Sequence, residues 1–598
     1  DPNLAAEKNK LDKANVPEPS FYHLFELDLA TNKLTQLTSG KYNDFDARYL
    51  PNGEIIFLST RRSQSVLCDR ASAMKTVATP DLGEIYVRCG GGPNRPCAIY
   101  TLHTLGTDRK TITAISPMEM FEWTPSVAAD GKVLYSRWDY VDRDNMPFMS
   151  LWSTNPDGTN PMHVYGNYTR NPHCIFEGRS IPGSSKIIAT ACGHHAITGG
   201  SLILIDTTKG RDGAEPIERI TPDVCFPETE GWPSNWYSNP WPLSEDYYLV
   251  TWSNTALKRQ GARAGKNAST NGSGVYLYDR FGNLDLLYRD ASISTMNPAP
   301  LRPRHCPTVL SSSVDWAAKP EGTFILSDIY KGMKGVKSGT IKSLRIVAVP
   351  AKTHPTMNQP VLGLTRDDPG KCILGTVPVE QDGSAMFRAP SGVLLFFQAL
   401  DKDGVCIQTM RSGTYLQPGT SQSCVGCHEN RYEAPAAKVS LATRRSPSKI
   451  TVGPEGSWPM RFDTLVQPVL NTHCVGCHNP TGKAKHIDLS TPQSAYAKLT
   501  RYGKPSLYDQ VWTQYRKPIS IPHEGMAANS ALWTRINSGH GKVELSADDK
   551  ARLLTWMDTY AQYLGSYDLA QENRLRTLRT RWDDMLIQPA APANLPTK

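Results

Sequence analysis

Short runs of alternating apolar and polar residues dominate the first 350 residues of the chain. One recurring unit is a strand, a polar turn and a second strand, as in LFELDLATNKLTQLT, AIYTLHTLGTDRKTIT and GVYLYDRFGNLDLLY. A second unit has a turn dipeptide, Asn52-Gly53 or Asp130-Gly131, before a run of β-branched and aromatic residues. About six repeats of two such hairpins predict a six-bladed β-propeller over residues 1–354. A pair of β-sandwiches is the alternative.

The pattern changes in residues 355–445. The segment GTVPVEQDGSAMFRAPSGVLLFFQALDKDGVCIQTM alternates like a small antiparallel sandwich, with turns at Asp382-Gly383 and Asp403-Gly404. These features predict a β-rich middle domain.

Residues 455–598 have helical spacing instead. Apolar residues in RFDTLVQPVLNTH recur as on one face of a helix, and LSADDKARLLTWMDTYAQYLGS is amphipathic. Ser546 and Asp549 form a capping-box pattern at the start of the second segment. The chain is therefore predicted to be multidomain and mainly β, with a C-terminal helical domain and a tail.

Composition limits the classes of function. Apolar residues make up 39% of the 598 and charged residues 20%, which suits packed globular domains. The net charge of +8 is mild for this length and suits docking to an acidic redox partner. Without a basic block, nucleic-acid binding is not expected. No stretch approaches the roughly 18 apolar residues of a membrane span.

Two Cys-x-x-Cys-His motifs carry the strongest chemical signal. They are Cys424-Val-Gly-Cys427-His428 and Cys474-Val-Gly-Cys477-His478. In such a motif two thiols bond the haem vinyl groups and the histidine lies against the iron. We therefore expect two covalently bound haems c, with zinc knuckles as the alternative.

Haem attachment predicts an exported protein, in a periplasm or an equivalent compartment. The start DPNLAAEKNKLDK, with neither an initiator Met nor an apolar run, fits a processed terminus. The haem motifs use four of the 13 cysteines. Among the remaining nine, some disulfides and at least one unpaired or metal-bound thiol are expected.

The second haem needs a further ligand from downstream. The candidates are His486, His523, Met526 and His540. His540 lies just before the terminal amphipathic helix, where a small cytochrome supplies its distal ligand, and Met526 is its main rival. A six-coordinate iron has no open position, so this haem is expected to transfer electrons.

The first motif has a different flank, because Tyr432 follows His428 by four residues. A tyrosine there can simply pack or donate a hydrogen bond. It can also ligate iron as a phenolate, as in catalase, which suits a haem that binds a substrate.

Polar residues at the ends of predicted propeller strands are candidates for ligands or proton-transfer groups. Each could instead cap a turn or pack in the core. They are Asp46, Asp139, His173, Cys174, Cys192, His194 and His195. The adjacent pair His194-His195 beside a cysteine favours acid–base chemistry or metal binding.

The order of these parts resembles hydrazine synthase alpha subunits and their bacterial relatives, most specifically from GTVPVEQDGSAMF to SCVGCHENRY. The resemblance implies that Tyr432 ligates the first haem and that His428 binds a zinc ion. A Cys and an Asp from the propeller complete the family's zinc site; Cys174 and Asp46 are the candidates, with Cys192 as a rival. The resemblance also implies that two histidines ligate the second haem, which favours His540 over Met526.

The predicted function is a haem-dependent oxidoreductase that joins hydroxylamine to ammonia and yields hydrazine. The open haem would face the propeller funnel, where His194, His195 or Asp139 moves protons. The resemblance implies other haem-containing subunits as partners, a soluble redox partner and, for a true synthase, the anammoxosome as location. The alternatives are a haem peroxidase-like enzyme and an electron-transfer cytochrome with the propeller as docking scaffold.

Overall fold

A computed structural model describes residues 17–61, 85–89, 97–196, 198–255, 272–427 and 439–588. The chain divides into two compact units. The N-terminal unit comprises Asp1–Arg62, Ile99–Tyr140 and Asp144–Ser313, and the C-terminal unit comprises Ser63–Ala98, Val141–Arg143 and Val314–Lys598.

Antiparallel β-sheet forms the N-terminal unit. It opens with the hairpin β1 (Phe25–Asp28) and β2 (Lys33–Gln36). Within the described residues, four meanders of four strands follow: β3 (Asp44–Tyr49), β4 (Ile55–Ser59), β5 (Thr101–Leu105), β6 (Ile112–Ala114); β7 (Glu122–Val127), β8 (Val133–Trp138), β9 (Met149–Thr154), β10 (Met162–Tyr165); β11 (Cys174–Ser180), β12 (Ile187–Cys192), β13 (Ser201–Ile205), β14 (Ile217–Arg219); and β15 (Trp236–Pro242), β16 (Tyr247–Ser253), β17 (Gly274–Asp279), β18 (Leu284–Tyr288).

The first strands of successive meanders contact one another. β3 contacts β7, β7 contacts β11, and β11 contacts β15, as the innermost strands of neighbouring propeller blades do. The turns at Asn52-Gly53 and Asp130-Gly131 connect the first two strands of their meanders, with both glycines at positive φ. The mainly β class is therefore confirmed, whereas the count of six blades is not.

The C-terminal unit contains two sheets that share one apolar core. The three-stranded sheet has the order β22 (Ala385–Pro390), β19 (Glu321–Leu326), β25 (Ser421–Cys424). The six-stranded sheet has the order β24 (Cys406–Thr409), β23 (Leu394–Leu400), β20 (Ser343–Val349), β21 (Cys372–Pro378), β26 (Ile450–Val452), β27 (Leu586–Ile587).

Two of these strands lie before residue 355, in the segment predicted to be propeller. β19 pairs with β22 and β25, and β20 pairs with β21 and β23, so both belong to the sheets of the middle region. An alternating strand satisfies its pattern against any partner with a matching apolar face, so the sequence did not specify which sheet it joins.

Short helices follow the middle region. They are α1 (Phe462–Leu465), α2 (Gln467–His473), α3 (Pro492–Thr500), α4 (Leu507–Tyr515), α5 (Ala531–Asn537), α6 (Ala547–Asp558) and α7 (Leu569–Arg581). The capping box at α6 is confirmed: the Asp549 N–H donates to Ser546 Oγ at 3.1 Å, and the Ser546 N–H donates to Asp549 Oδ2 at 3.0 Å. Among the described residues, every helix is too short or too polar to cross a bilayer.

Candidate functional site: the haem-attachment motifs

The second Cys-x-x-Cys-His motif begins where helix α2 ends. The N–H of Cys474 donates to the carbonyl of Leu470 at 2.8 Å. The N–H groups of Cys477 and His478 then both donate to the carbonyl of Cys474, at 3.1 and 2.9 Å. This tight turn keeps two thiols and one imidazole within a few residues of the helix end. Burial raises the pKa of Cys474 to about 11, so this cysteine is a neutral thiol before any bond forms.

The ring of His478 is oriented by a backbone carbonyl. Its Nδ1 lies 3.2 Å from the carbonyl oxygen of Ile487, so Nδ1 is the donor and Nε2 keeps its lone pair. A hydrogen bond of this kind from the remote ring nitrogen fixes the tautomer of a metal-binding histidine. His478 is therefore prepared to ligate through Nε2.

A second imidazole lies next to that of His478. The centre of the His540 ring is 5.9 Å from the centre of the His478 ring, with 49° between the ring planes. Two imidazoles on opposite sides of one metal, each with a bond of about 2 Å, have centres about 6 Å apart. Burial, followed by Arg535 and His478, lowers the pKa of His540, which favours the neutral ring that ligation requires. These thiols and imidazoles fit a covalently attached haem.

The other three candidates for the distal position have different surroundings. Met526 is 3% exposed and lines a cavity with Cys406, Asp558 and Tyr560. His486 and His523 are exposed, as His540 is, but of these three histidines, all among the described residues, only His540 has its ring next to that of His478.

The first motif begins at the end of strand β25. Cys424 is the last residue of that strand and pairs with Leu326 of β19. The Cys427 N–H donates to the carbonyl of Lys331 at 2.9 Å, and both cysteines pack against the core of the C-terminal unit. A Cβ on Gly426 would come within 2.4 Å of the Lys331 oxygen, so the motif needs glycine there. His428 and Tyr432 lie outside the described residues.

The paired histidines of the N-terminal unit have a partner that the sequence did not reveal. The ring Nδ1 of His195 is 2.6 Å from Oε1 of Glu228, and the backbone N–H of His195 donates to Oε2 of the same carboxylate at 2.9 Å. His173 approaches the same carboxylate at 3.7 Å. Burial acts to raise the pKa of Glu228, but the hydrogen bonds from His195 outweigh it and the pKa is lowered. A carboxylate that holds one imidazole nitrogen leaves the other available for proton transfer.

His194 differs from its neighbour. Its ring lies edge-on to Trp138, with 5.3 Å between ring centres, and burial lowers its pKa to about 4. His194 is therefore neutral at ordinary pH. The two rings also differ in exposure, because the ring of His195 is half exposed to solvent. Glu228 follows strand β14 in FPETEGW, a loop with no motif, so only the fold could identify it.

Asp139 and the two propeller zinc candidates have separate surroundings. Asp139 is buried and forms an ion pair with Arg137. Asp46 forms an ion pair with Arg48 at 2.7 Å. Cys174 is fully buried, with its sulfur 3.3 Å from that of Met149. Among the described residues, no group of three His, Cys, Asp or Glu side chains converges as a metal site. Cys192, the rival ligand, pairs directly opposite Cys174 on β12, and neither forms a disulfide.

Comparison with known proteins confirms the resemblance drawn from the sequence. The sequence model of the hydrazine synthase alpha subunit middle domain matches residues 339–429. Hydrazine synthase subunit alpha of Kuenenia stuttgartiensis is 24% identical over 337 residues, which cover 48% of this chain and 38% of that protein. The solved structure of Kuenenia stuttgartiensis hydrazine synthase matches with a TM-score of 0.63 and 17% identity, over 91% of this chain and 85% of that one. The chain thus resembles this alpha subunit in sequence and shares its fold.

Proposed function

We propose that the chain is a dihaem c-type oxidoreductase, similar to the alpha subunit of hydrazine synthase, that acts on a small nitrogen compound. The observation that carries the proposal is the position of the first haem motif. Cys424, Cys427 and His428 all lie inside the segment 339–429 that matches the middle domain of that subunit. A c-type motif elsewhere would predict only haem attachment.

In this proposal Cys424 and Cys427 would attach the first haem, and Tyr432 would ligate its iron. A haem with an open coordination position supplies a centre where a small nitrogen compound can bind. His428 then holds zinc, together with a Cys and an Asp of the N-terminal unit, for which Cys174 and Asp46 remain the candidates and Cys192 the rival. The overall reaction is hydroxylamine plus ammonia to hydrazine plus water: an N–N bond forms, the N–O bond breaks and the oxygen leaves as water.

The second site has a different role. His478 and His540 would fill both axial positions of the haem attached at Cys474 and Cys477, so this haem relays electrons and has no position for substrate. The orientation of His478 by Ile487 and the 5.9 Å separation of the two rings support this assignment.

His195 is the best-suited proton-transfer residue of the N-terminal unit. Glu228 orients its ring, which is half exposed. Asp139 is less suited, because it is 1% exposed and bound by Arg137.

As an alpha-subunit relative, the chain is proposed to work with other haem-containing subunits and a soluble redox partner. Its proposed location is outside the cytoplasm, in a periplasm or an anammoxosome.

The experiment that tests the proposal is carbon monoxide titration of the reduced, haem-loaded protein, after the haem content has been measured as two per chain. We expect carbon monoxide to bind at one haem of the two. Binding at neither would favour an electron-transfer cytochrome and overturn the enzyme assignment. Incubation of the haem-loaded protein with hydroxylamine and ¹⁵N-labelled ammonia should give singly labelled hydrazine. If the protein forms no hydrazine and only oxidises other small molecules, it is a peroxidase-like enzyme.

A further inference from the structure

The first strand of each four-stranded meander contains the same irregularity. Register shifts occur within β3, β7, β11 and β15. At each shift one polar residue has a positive φ between 48° and 60°: Asp46, Thr124, Glu177 and Asn239. A small or cyclic residue follows each: Ala47, Pro125, Gly178 and Pro240. A repeated bulge of this kind redirects one side chain per strand and marks a built feature of a sheet.

All four of these residues line one cavity. Its volume is about 30 Å³, enough for about two waters or one small ion. The other polar residues of the lining are Arg48, Ser126, Arg179 and Asn297. The four strained bulges thus bring polar groups from four separate strands to one cavity. Non-glycine residues at positive φ are strained, and such residues concentrate at functional sites.

Arg179 is the arginine of the lining that has a buried, unpartnered N–H group. Its Nε is buried and has no hydrogen-bond partner. The guanidinium lies over the ring of Trp241, 4.8 Å from the ring centre, and Arg304 approaches the same ring at 4.9 Å. Burial, followed by the charge of Arg48, lowers the pKa of Arg179 to about 10, which still leaves it charged at neutral pH.

The two carboxylates of the lining are already engaged. Glu177 Oε2 accepts from Thr190 Oγ1 at 2.8 Å and from the Asn239 N–H at 2.6 Å, and Oε1 accepts from the Asn239 side-chain amide. Asp46 is paired with Arg48 at 2.7 Å. The lining therefore holds two guanidinium groups against two carboxylates that are already engaged, and the guanidinium of Arg304 lies against the same Trp241 ring as that of Arg179.

We propose that this cavity binds a small planar oxyanion, of the size of nitrite, nitrate or formate, through the guanidinium of Arg179. A planar guanidinium offers two parallel N–H donors that match two oxygens of such an anion. The site contains none of the haem-motif residues, and it shares Asp46 with the proposed zinc site.

The first test locates the ion in the full-length protein. Crystals are soaked in rubidium bromide, and anomalous maps are recorded at the bromine and rubidium absorption edges. A bromide peak beside the Arg179 guanidinium is expected. A rubidium peak in the cavity, or bromide peaks only elsewhere, would overturn the proposal.

The second test measures affinity in solution. Thermal unfolding of the full chain is followed with increasing nitrite, nitrate or formate at constant ionic strength, balanced with a bulky sulfonate. The wild type should show a saturable rise in melting temperature, and Arg179→Gln should lose at least tenfold in apparent affinity. The control Arg302→Gln removes an exposed arginine that is not part of the cavity lining and should bind as the wild type does. Two results would contradict the site: an affinity for the anion in Arg179→Gln equal to that of the wild type, or no saturable rise in the wild-type melting temperature. If Arg179→Gln fails to fold, the bromide map still tests the proposal.

Discussion

The imidazole rings of His478 and His540 lie next to each other, with 5.9 Å between their centres and 49° between their planes, although 61 residues separate them in the chain. The separation matches two axial ligands of one iron. The turn His540–Lys542, between α5 and α6, brings the second ring to this position.

Replacement of His540 by Ala should convert the second haem from low spin to high spin. The iron then loses one strong ligand and gains an open position, so a second carbon monoxide should bind per chain. Absorption and electron paramagnetic resonance spectra measure both changes. His486→Ala, which removes an exposed histidine of the same region, should leave the spectra unchanged. A low-spin His540→Ala protein would point to Met526 instead.

Replacement of Tyr432 by Phe should alter the high-spin signal and spare the low-spin one. The phenolate oxygen is lost from the first haem, while the second haem keeps both histidines. Tyr330→Phe is the matched control, because Tyr330 packs against the same core as Cys424 and Cys427 without being a proposed ligand. Identical spectra for Tyr432→Phe and wild type would refute tyrosine ligation.

Elemental analysis of the purified protein should find about one zinc per chain, and His428→Ala should lose most of it. The proposed zinc site takes one ligand from His428, and few sites keep zinc with a ligand removed. His305→Ala, at an exposed histidine, should retain the metal. A wild-type protein without zinc would leave His428 as an ordinary axial ligand of the first haem.

Lys371→Met should destabilise the C-terminal unit by about 3–5 kcal/mol, because it leaves a buried carboxylate unpaired. Lys371 Nζ lies 2.6 Å from Asp142 Oδ1, and both side chains are fully buried. Chemical denaturation measures the effect. Lys402→Met breaks an exposed pair with Asp403 and should cost less than about 1 kcal/mol. The double variant Lys371→Met/Asp142→Asn should recover part of the loss; if it does not, the pairing is not the cause.

Asp368 should make the protein less stable as pH rises from about 4 to about 7. Burial raises its pKa from 3.8 to about 7, with the charge of Lys371 acting against this. In that range the folded state holds a proton that the unfolded state has released, so the free energy of unfolding falls with rising pH. One pKa unit corresponds to about 1.4 kcal/mol, so the effect is measurable.

Asp368→Asn removes this titration. Its unfolding free energy should fall less between pH 5 and pH 8 than that of the wild type, whereas Asp403→Asn, at an exposed site, should follow the wild type. Parallel pH profiles for Asp368→Asn and wild type would mean that another group causes the dependence.

Much of the local structure was predictable. The hairpins at Asn52-Gly53 and Asp130-Gly131, the two turns of the middle region and the capping box of α6 all depend on residues close in sequence. Their conformations follow from backbone preference and from hydrogen bonds over a few residues. The sequence did not show that β19 and β20 pair with strands of the middle region, because strand pairing is a contact between segments that are far apart in the chain.

The same distinction between local and long-range contacts applies to the candidate site. The sequence by itself was enough to predict haem attachment, since two thiols and a histidine within five residues form the attachment motif. Only the tertiary structure decided that Glu228 holds His195, that Asp46 pairs with Arg48, and that residues of four bulged strands line one cavity with Arg179. The physical reason is that ligation, ion pairing and proton transfer depend on distances of a few ångströms, and packing of the whole chain sets those distances.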